Sequence, residues 1–410
     1  MEELNKLAID LHKKFCGKLE IKSKVPLKDK KDLSLAYTPG VAEVCKKIYE
    51  DPNNVYDLTI KSNSVAVVSD GSAVLGLGNI GPLSAIPVME GKAILFKKFA
   101  GIDAFPICLN TQDPEKIIET IYLLSPVFGG INLEDISAPR CFYIERELKK
   151  LLDIPVFHDD QHGTAIVTLA GLLNALKIRG SRIDEIGIVI IGAGAAGLAI
   201  ADMLLHMGAK EVKIVDKHGI IYPGRKEGMN EEKEKFALKT NPEGISGDLE
   251  KALEGKDVLI GVSQGNLVTR EMIRKMNKNP IIFAMANPIP EIMPEEAKKE
   301  GVKIIGTGRS DYPNQINNLL AFPGVFRGAL LVRARDINLE MKISASFAIS
   351  ELIENPTEDY FIPSPLDKRV VPAVALRVAE TAIKTGVARI NKSRDELKKE
   401  IERYVGGEYE

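Results

Sequence analysis

The chain has 410 residues and is 45% hydrophobic, too long for one ordinary core and long enough for two domains that each bury their own apolar interior. Its formal net charge of −2, with acids and bases interleaved, excludes a long-range field that would gather nucleic acid or anionic lipid. No stretch reaches the roughly 18 uninterrupted apolar residues of a membrane span, and the charged, amphipathic N-terminus lacks the apolar centre of a secretion signal, so the expected location is cytoplasmic.

Short β-branched runs alternate with helical runs and no fixed repeat is visible, which predicts an α/β fold with parallel sheets. In chain order the first half reads as strands over Ser64 to Ser69, Ala104 to Leu109, Gly130 to Leu133 and Pro155 to His158. Helices are expected between them, over Pro82 to Lys98, Pro114 to Leu124 and Ala138 to Leu151. A bridging helix over Gly163 to Lys177 leads to strands at Gly187 to Ile191, Glu211 to Val215, Val258 to Val262, Ile281 to Ala284 and Lys303 to Ile305. From Gly328 on the pattern is helical, broken at Asn355-Pro356 and Pro363 to Pro365. The expected division is an N-terminal α/β substrate and metal domain over residues 1–160, a Rossmann-type doubly wound domain over 161–355, and C-terminal helices over 356–410 that fold back on the first domain. Cys16, Cys45, Cys108 and Cys141 form no paired motif and read as reduced, buried thiols.

The dinucleotide signal is Gly192-Ala193-Gly194-Ala195-Ala196-Gly197, directly after an apolar strand and opening a helix over Ala195 to Met207. Gly192 permits the tight turn, Gly194 clears the approach of a pyrophosphate, and Gly197 lets helix and strand pack closely. The helix N-terminus turns its free N–H groups to the phosphates. Asp216 ends the next strand, where a carboxylate takes the ribose hydroxyls of NAD, while Lys217 after it is suited to the 2′-phosphate of NADP. Both cofactors therefore stay open.

Polar residues follow the first-half strands at what a parallel sheet makes one edge: Asp70, then Asn110 to Asp113, then Glu134 and Asp135, then Asp159 and Asp160. Any one of these acids reads equally well as a helix N-cap; their convergence does not. His158 and His162 sit four apart but lack the glutamate of a zinc-protease helix, and are read as supporting residues. Glu134, Asp135 and Asp160 make an all-oxygen set suited to Mg²⁺ or Mn²⁺. Lys92 lies in an apolar run, yet from composition alone it reads as a surface charge beside Lys97 and Lys98, and Tyr37 before Pro39-Gly40 reads as a packing residue.

At these residues the sequence resembles the malic enzymes, in their short prokaryotic form, over almost the whole chain. Tyr37 in Y-T-P-G-V-A and Lys92 in E-G-K-A are similar to that family's catalytic tyrosine and lysine. Glu134 and Asp135 in N-L-E-D-I and Asp160 in D-D-Q-H-G-T resemble its metal ligands, with Asp159 supporting the lysine. Thr164, Asn287 in A-N-P-I-P-E, and Asn317 and Asn318 before Phe322-Pro323-Gly324 resemble its cofactor and substrate contacts. An arginine that larger members carry after the Asp-Gly turn is absent from Asp70-Gly71-Ser72-Ala73, which leaves Ser72, Asn287 and Asn318 as candidates for a substrate carboxylate. The resemblance implies oxidative decarboxylation of L-malate to pyruvate and CO₂ with NAD or NADP and Mg²⁺ or Mn²⁺. It also implies a homodimer or higher homo-oligomer, in which Tyr37 serves its own or the partner subunit. A lysine placed so, between a cation and Asp159, is expected to titrate near neutral pH. An amino-acid dehydrogenase with the same two-domain plan is the competing enzyme reading and needs no metal. A nucleotide-binding module without turnover would leave the acids and Lys92 unexplained.

Overall fold

The computed structural model describes residues 2–74 and 77–405. The chain opens with α1 (Glu2–Phe15), α2 (Lys30–Ala36), α3 (Val41–Glu50) and α4 (Val55–Leu58). Then come β1 (Ser64–Ser69), α5 (Gly81–Ala100), β2 (Asp103–Cys108), α6 (Pro114–Leu124), β3 (Gly130–Leu133), α7 (Arg140–Leu151), β4 (Val156–His158) and α8 (Asp159–Arg179). The second half runs β5 (Gly187–Ile191), α9 (Ala195–His206), β6 (Glu211–Asp216), β7 (Gly219–Ile220), α10 (Glu231–Thr240), α11 (Leu249–Leu253) and β8 (Val258–Gly261). It continues with α12 (Arg270–Arg274), β9 (Ile281–Ala284), α13 (Pro294–Lys299), β10 (Ile304–Thr307), α14 (Phe322–Leu331), α15 (Leu339–Ser350), α16 (Val370–Lys384) and α17 (Arg394–Val405).

The strands form two sheets. The first is all parallel in the order β2-β1-β3-β4, and the second has the order β10-β9-β8-β5-β6-β7 with only β7 antiparallel. In the second, the chain passes from β5 through α9 to β6 on one side and later returns to β8 on the other, which opens a ligand crevice at the carboxyl end of β5. The register of the first sheet does the same for the acids. Leu133 pairs with Val68 on one side and His158 on the other, so Glu134-Asp135 and Asp159-Asp160 leave adjacent strands side by side.

Helix α8 is apolar on nearly every face because it runs through the main core, packed against α9 and α15, in a cluster that also takes in β1, α5 and β5. Helix α14 enters the same core, and its fully buried Arg327 donates to the Ala100 carbonyl and to Asn63 of the first half. Helix α17 packs on α5.

Several strand ends differ from expectation by one or two residues, as frayed termini do. Larger differences have specific causes. Helix α8 begins at Asp159, four residues before the expected Gly163, with His158 at its N-cap; acids in a first turn are favoured by the helix dipole, so Asp159 and Asp160 belong to the helix. Helix α14 begins at Phe322, ahead of the expected Gly328. Pro323 sits in its first turn, where proline is tolerated, and Gly324 and Gly328 admit Val374 and Val378 of α16. Of the cysteines only Cys141 is buried; Cys16 and Cys45 are exposed and Cys108 is half-buried. No described helix is long and apolar enough to cross a membrane.

Candidate active site

Lys92 is buried, 8% exposed, which corrects its reading as a surface charge. It shares the inward face of α5 with Ala85, Met89 and Phe96, while Lys97 and Lys98 occupy the last turn. Its ammonium lies 2.6 Å from Asp159 Oδ2 and 3.0 Å from Glu134 Oε1, with the Phe322 ring centroid 4.1 Å away. Burial pulls the ammonium down, but the carboxylates of Asp159 and Glu134 more than offset it, and the balance among the protein's own groups is upward.

Asp159 is fully buried, and its Oδ2 also accepts from Asn318 Nδ2 at 2.6 Å. A Cβ on Gly163 would stand 1.8 Å from Asp159 Oδ1, so the glycine of D-Q-H-G makes room for this carboxylate. Asn132, two residues before Glu134 on β3, donates to Glu134 Oε2 at 2.9 Å. Asp135 has a φ of +54°, a left-handed conformation uncommon outside glycine, and its N–H donates to Asp160 Oδ2 at 2.8 Å.

Ligand oxygens of Glu134, Asp135 and Asp160 all lie within 4.8 Å of one another. Burial and mutual repulsion raise all three carboxyl groups, Asp160 to about 6 and Asp135 to about 9, and Asp135 Oδ2 is buried without a hydrogen-bond partner. Carboxylates crowded this closely ionise together only around a cation, and an all-oxygen set fits a hard divalent ion.

The two histidines stay out of that cluster. His158 Nε2 is 3.5 Å from Asp160 Oδ2 and makes no hydrogen bond. His162 turns its Nε2 to Glu145, 2.8 and 2.9 Å from the two oxygens, and burial lowers it to about 4. Glu145, which sequence reading passed over, also accepts from Gln161 and from the His158 N–H, clamping the first turn of α8. Its only sequence signal is its place on the apolar face of α7 with Cys141, Ile144 and Leu148.

Ser72 is occupied within its loop. Its N–H and hydroxyl donate to Asp70 Oδ1 at 3.0 and 2.5 Å, and the hydroxyl accepts from the Ser137 N–H. Asp70 is buried and paired with Arg140 at 3.0 Å, and Asp113 is an N-cap, so these two acids serve structure. Asn317 caps a short turn by accepting from the Leu319 N–H, Asn287 is exposed, and Thr164 lies half-buried in α8. Glu291, also missed, is fully buried and bonds the N–H groups of Ser263 and Ala286, fixing the loop that carries Asn287. Tyr37 ends α2 with 65% exposure and makes no side-chain hydrogen bond among the described residues, so it is not the packing residue that composition predicts.

At the second sheet Gly192 has a φ of +116°, and a Cβ there would meet the Val262 carbonyl at 2.7 Å. A Cβ on Gly197 would reach the Gly192 oxygen at 1.7 Å, whereas Gly194 faces open space. These are the turn, the close packing and the clear approach that a pyrophosphate cradle needs, with Ala195 and Ala196 starting α9 behind it. Asp216 is gripped by Arg225 and by Lys233, the latter at 2.6 Å, and these cations hold it at about 2 against the effect of burial. Lys217 is exposed.

Residues 16–149 match the family model of the malic enzyme N-terminal domain, and residues 161–385 that of the malic enzyme NAD-binding domain. The chain is 60% identical to the bifunctional malic/malolactic enzyme of Bacillus subtilis, over 96% of this chain and 97% of that protein. It is 57% identical to the NAD-dependent malic enzyme of Geobacillus stearothermophilus, over 91% and 78% respectively. The crystal structure of malic enzyme from Pyrococcus horikoshii superposes with a TM-score of 0.93 at 49% identity, over 98% of this chain and 96% of that one. With both domains matched and the acids, the lysine and the glycine cradle all in place, the chain belongs to the malic enzyme family.

Proposed function

We propose that this protein carries out the oxidative decarboxylation of L-malate to pyruvate and CO₂ with NAD⁺ or NADP⁺. The observation that carries the reading is the buried Lys92 held by Asp159 and Glu134 at the rim of a three-carboxylate cluster. Glu134, Asp135 and Asp160 would hold Mg²⁺ or Mn²⁺, and Gly192 to Gly197 with Asp216 would hold the dinucleotide. When bound, the ion supplies Lewis-acid polarisation and the nicotinamide accepts hydride.

A divalent ion bound by Glu134, Asp135 and Asp160 would offset the carboxylates that hold Lys92 charged and favour its neutral amine; Lys92 then takes the proton of the malate C2 hydroxyl, and Asp159 keeps the amine aimed at that oxygen. Asn318, bonded to Asp159, orients the substrate carboxylate at the same edge, and Asn287 contributes from the loop fixed by Glu291. Once the C3–C4 bond has broken and C4 has left as CO₂, Tyr37 delivers the proton at C3 that completes pyruvate. Because Tyr37 is exposed and α1 to α3 bury none of their described side chains, the protein works as a homodimer in which Tyr37 reaches the partner's cluster. The apolar side chains of Leu4, Leu7, Leu11, Phe15 and Leu35, each more than half exposed, supply the contact surface.

Asp216 recognises the ribose hydroxyls, and the neighbouring Lys217, Arg225 and Lys233 keep NADP⁺ within reach. The test is an absorbance assay of reduced nicotinamide with L-malate, Mn²⁺ and each cofactor, the product identified as pyruvate, oxaloacetate or lactate. Pyruvate is expected; oxaloacetate alone, or activity indifferent to EDTA, would overturn the reading. Lactate would point to the second activity named for the Bacillus subtilis relative.

A further inference from the structure

On the far side of the first turn of α8 lies a cavity of about 410 Å³ between α7, α10 and α15 that none of the clustered acids lines. Its walls carry Arg146, Lys149, Lys150 and Lys342 against two carboxylates, Glu145 and Glu232. With Asp336 and Glu147 paired to Lys149 and Lys150 at the rim, carboxylates match the cations in number, yet the wall itself carries four cations and two acids, in contrast to the acid cluster one turn away. Three of the cations stand at spacings of three and four on α7 and so share one helix face.

Lys342 is the informative one. It is 8% exposed, and Nδ1 of His162, 3.1 Å away, is the single hydrogen-bond partner of its ammonium among the described residues. Because Nε2 of His162 faces both oxygens of Glu145, that nitrogen carries the hydrogen and Nδ1 accepts from the ammonium. The ammonium thus keeps two further N–H donors for an acceptor in the cavity it lines, and an anion takes them in charge-assisted bonds. Burial and the nearby Lys149 lower Lys342 to about 8, in keeping with a site short of negative charge. The other cations are paired at the rim, Arg146 with Glu232 at 3.0 Å, Lys149 with Asp336 at 3.0 Å and Lys150 with Glu147 at 2.8 Å, so Lys342 is the lining cation with no carboxylate at ion-pair distance among the described residues.

We propose that this cavity binds a phosphate-type dianion, with Lys342 at its base and Lys149 and Arg146 at its sides. A tetrahedral dianion completes the Lys342 ammonium with charge-assisted bonds and fits the volume. The phosphate has two possible sources. Glu232 lines the cavity and the next residue of α10, Lys233, grips Asp216, so one helix links the cavity to the proposed ribose-binding carboxylate; the group is either the 2′-phosphate of NADP or a free phosphoryl compound. Through His162 and Glu145 the occupant bears on the turn that carries Asp159 and Asp160.

The experiment is calorimetric titration of the full-length protein with inorganic phosphate, free of divalent metal, for the wild type, Lys342→Met, Lys149→Gln and Lys92→Met. Wild type and Lys92→Met should bind with a dissociation constant of about 1 mM or tighter, and the two cavity variants at least about 10-fold more weakly. Should Lys342→Met fail to fold, the more exposed Lys149→Gln carries the comparison. Displacement by NADP⁺ but not NAD⁺ supports the site and assigns it to the cofactor, and indifference to both supports it and assigns a free phosphoryl ligand. Displacement by both places the phosphate in the glycine cradle and overturns the proposal, as does an absence of binding or binding that survives the cavity variants. Because the readout is binding and not malate turnover, failure here leaves the reading of the reaction untouched.

Discussion

Lys92 and Asp160 sit in one cluster but are predicted to fail differently. Lys92→Ala removes the proton acceptor and leaves the glycine cradle intact, so turnover should fall by about 10²-fold to 10⁴-fold while nucleotide affinity, read by fluorescence titration, stays near wild type. Near-normal malate turnover would remove the lysine from the mechanism. Asp160→Ala takes away one of three oxygen donors and should abolish Mn²⁺-dependent activity together with Mn²⁺ binding; an unchanged metal requirement would count against the ligand set. Asp216 is a test of stability. Its pKa is depressed from 3.8 to about 2 by Arg225 and Lys233, so its contribution is present above pH 3.8 and is lost as pH falls towards about 2. Asp216→Asn should lower stability at neutral pH by about 1 to 2 kcal/mol and flatten the acid limb in that window, measured by urea unfolding at stepped pH. An acid limb identical to wild type would show that the three-way pair contributes nothing.

The first turn of α8 brings the chemistry together. It starts at the end of β4, beside Glu134-Asp135 at the end of β3, and Gly163 one turn on leaves space for the Asp159 carboxylate. Gly163→Ala should therefore push Asp159 off Lys92 and cut turnover by about 10²-fold or more, with NAD(P)⁺ binding retained and the fold intact by circular dichroism. A fully active Gly163→Ala enzyme would mean that the Lys92–Asp159 contact is dispensable. The placement of this turn was half legible in the sequence. The D-D-Q-H-G-T motif stands out, but the expected helix starts only at Gly163, with Asp159 and Asp160 placed at the strand end. The helix starts earlier because dipole and N-cap favour acids in a first turn, a gain that propensity at Gly163 conceals.

Across the whole molecule, α8 and α14 tie the two sheets into a shared core, and the N-terminal helices remain uncovered. Partner exchange tests the proposed homodimer. Tyr37→Phe and Lys92→Ala are each expected to be nearly inactive alone. Co-refolded, they should regain about a quarter to a half of wild-type activity, because a mixed dimer assembles one site with both native groups. No recovery on mixing, with heterodimers verified by mass, would place Tyr37 in its own subunit's site.

Strand periodicity, the glycine spacing and the family motifs marked out every strand of both sheets except the two-residue β7, together with the glycine loop and the acids at the strand ends, because these are local signals carried by backbone geometry and residue type. Lys92 was different: its sequence neighbours describe a surface lysine, and only the packing of α5 against α14 buries it beside Asp159. Glu291 and Lys342 left no local signal either, and Glu145 only its place on the apolar face of α7, since each acts on a partner many positions away or on a backbone N–H whose position depends on another loop. Burial, and with it the protonation state and reach of a charged group, is a property of the assembled core. It was decided by long-range contacts that no window of sequence contains.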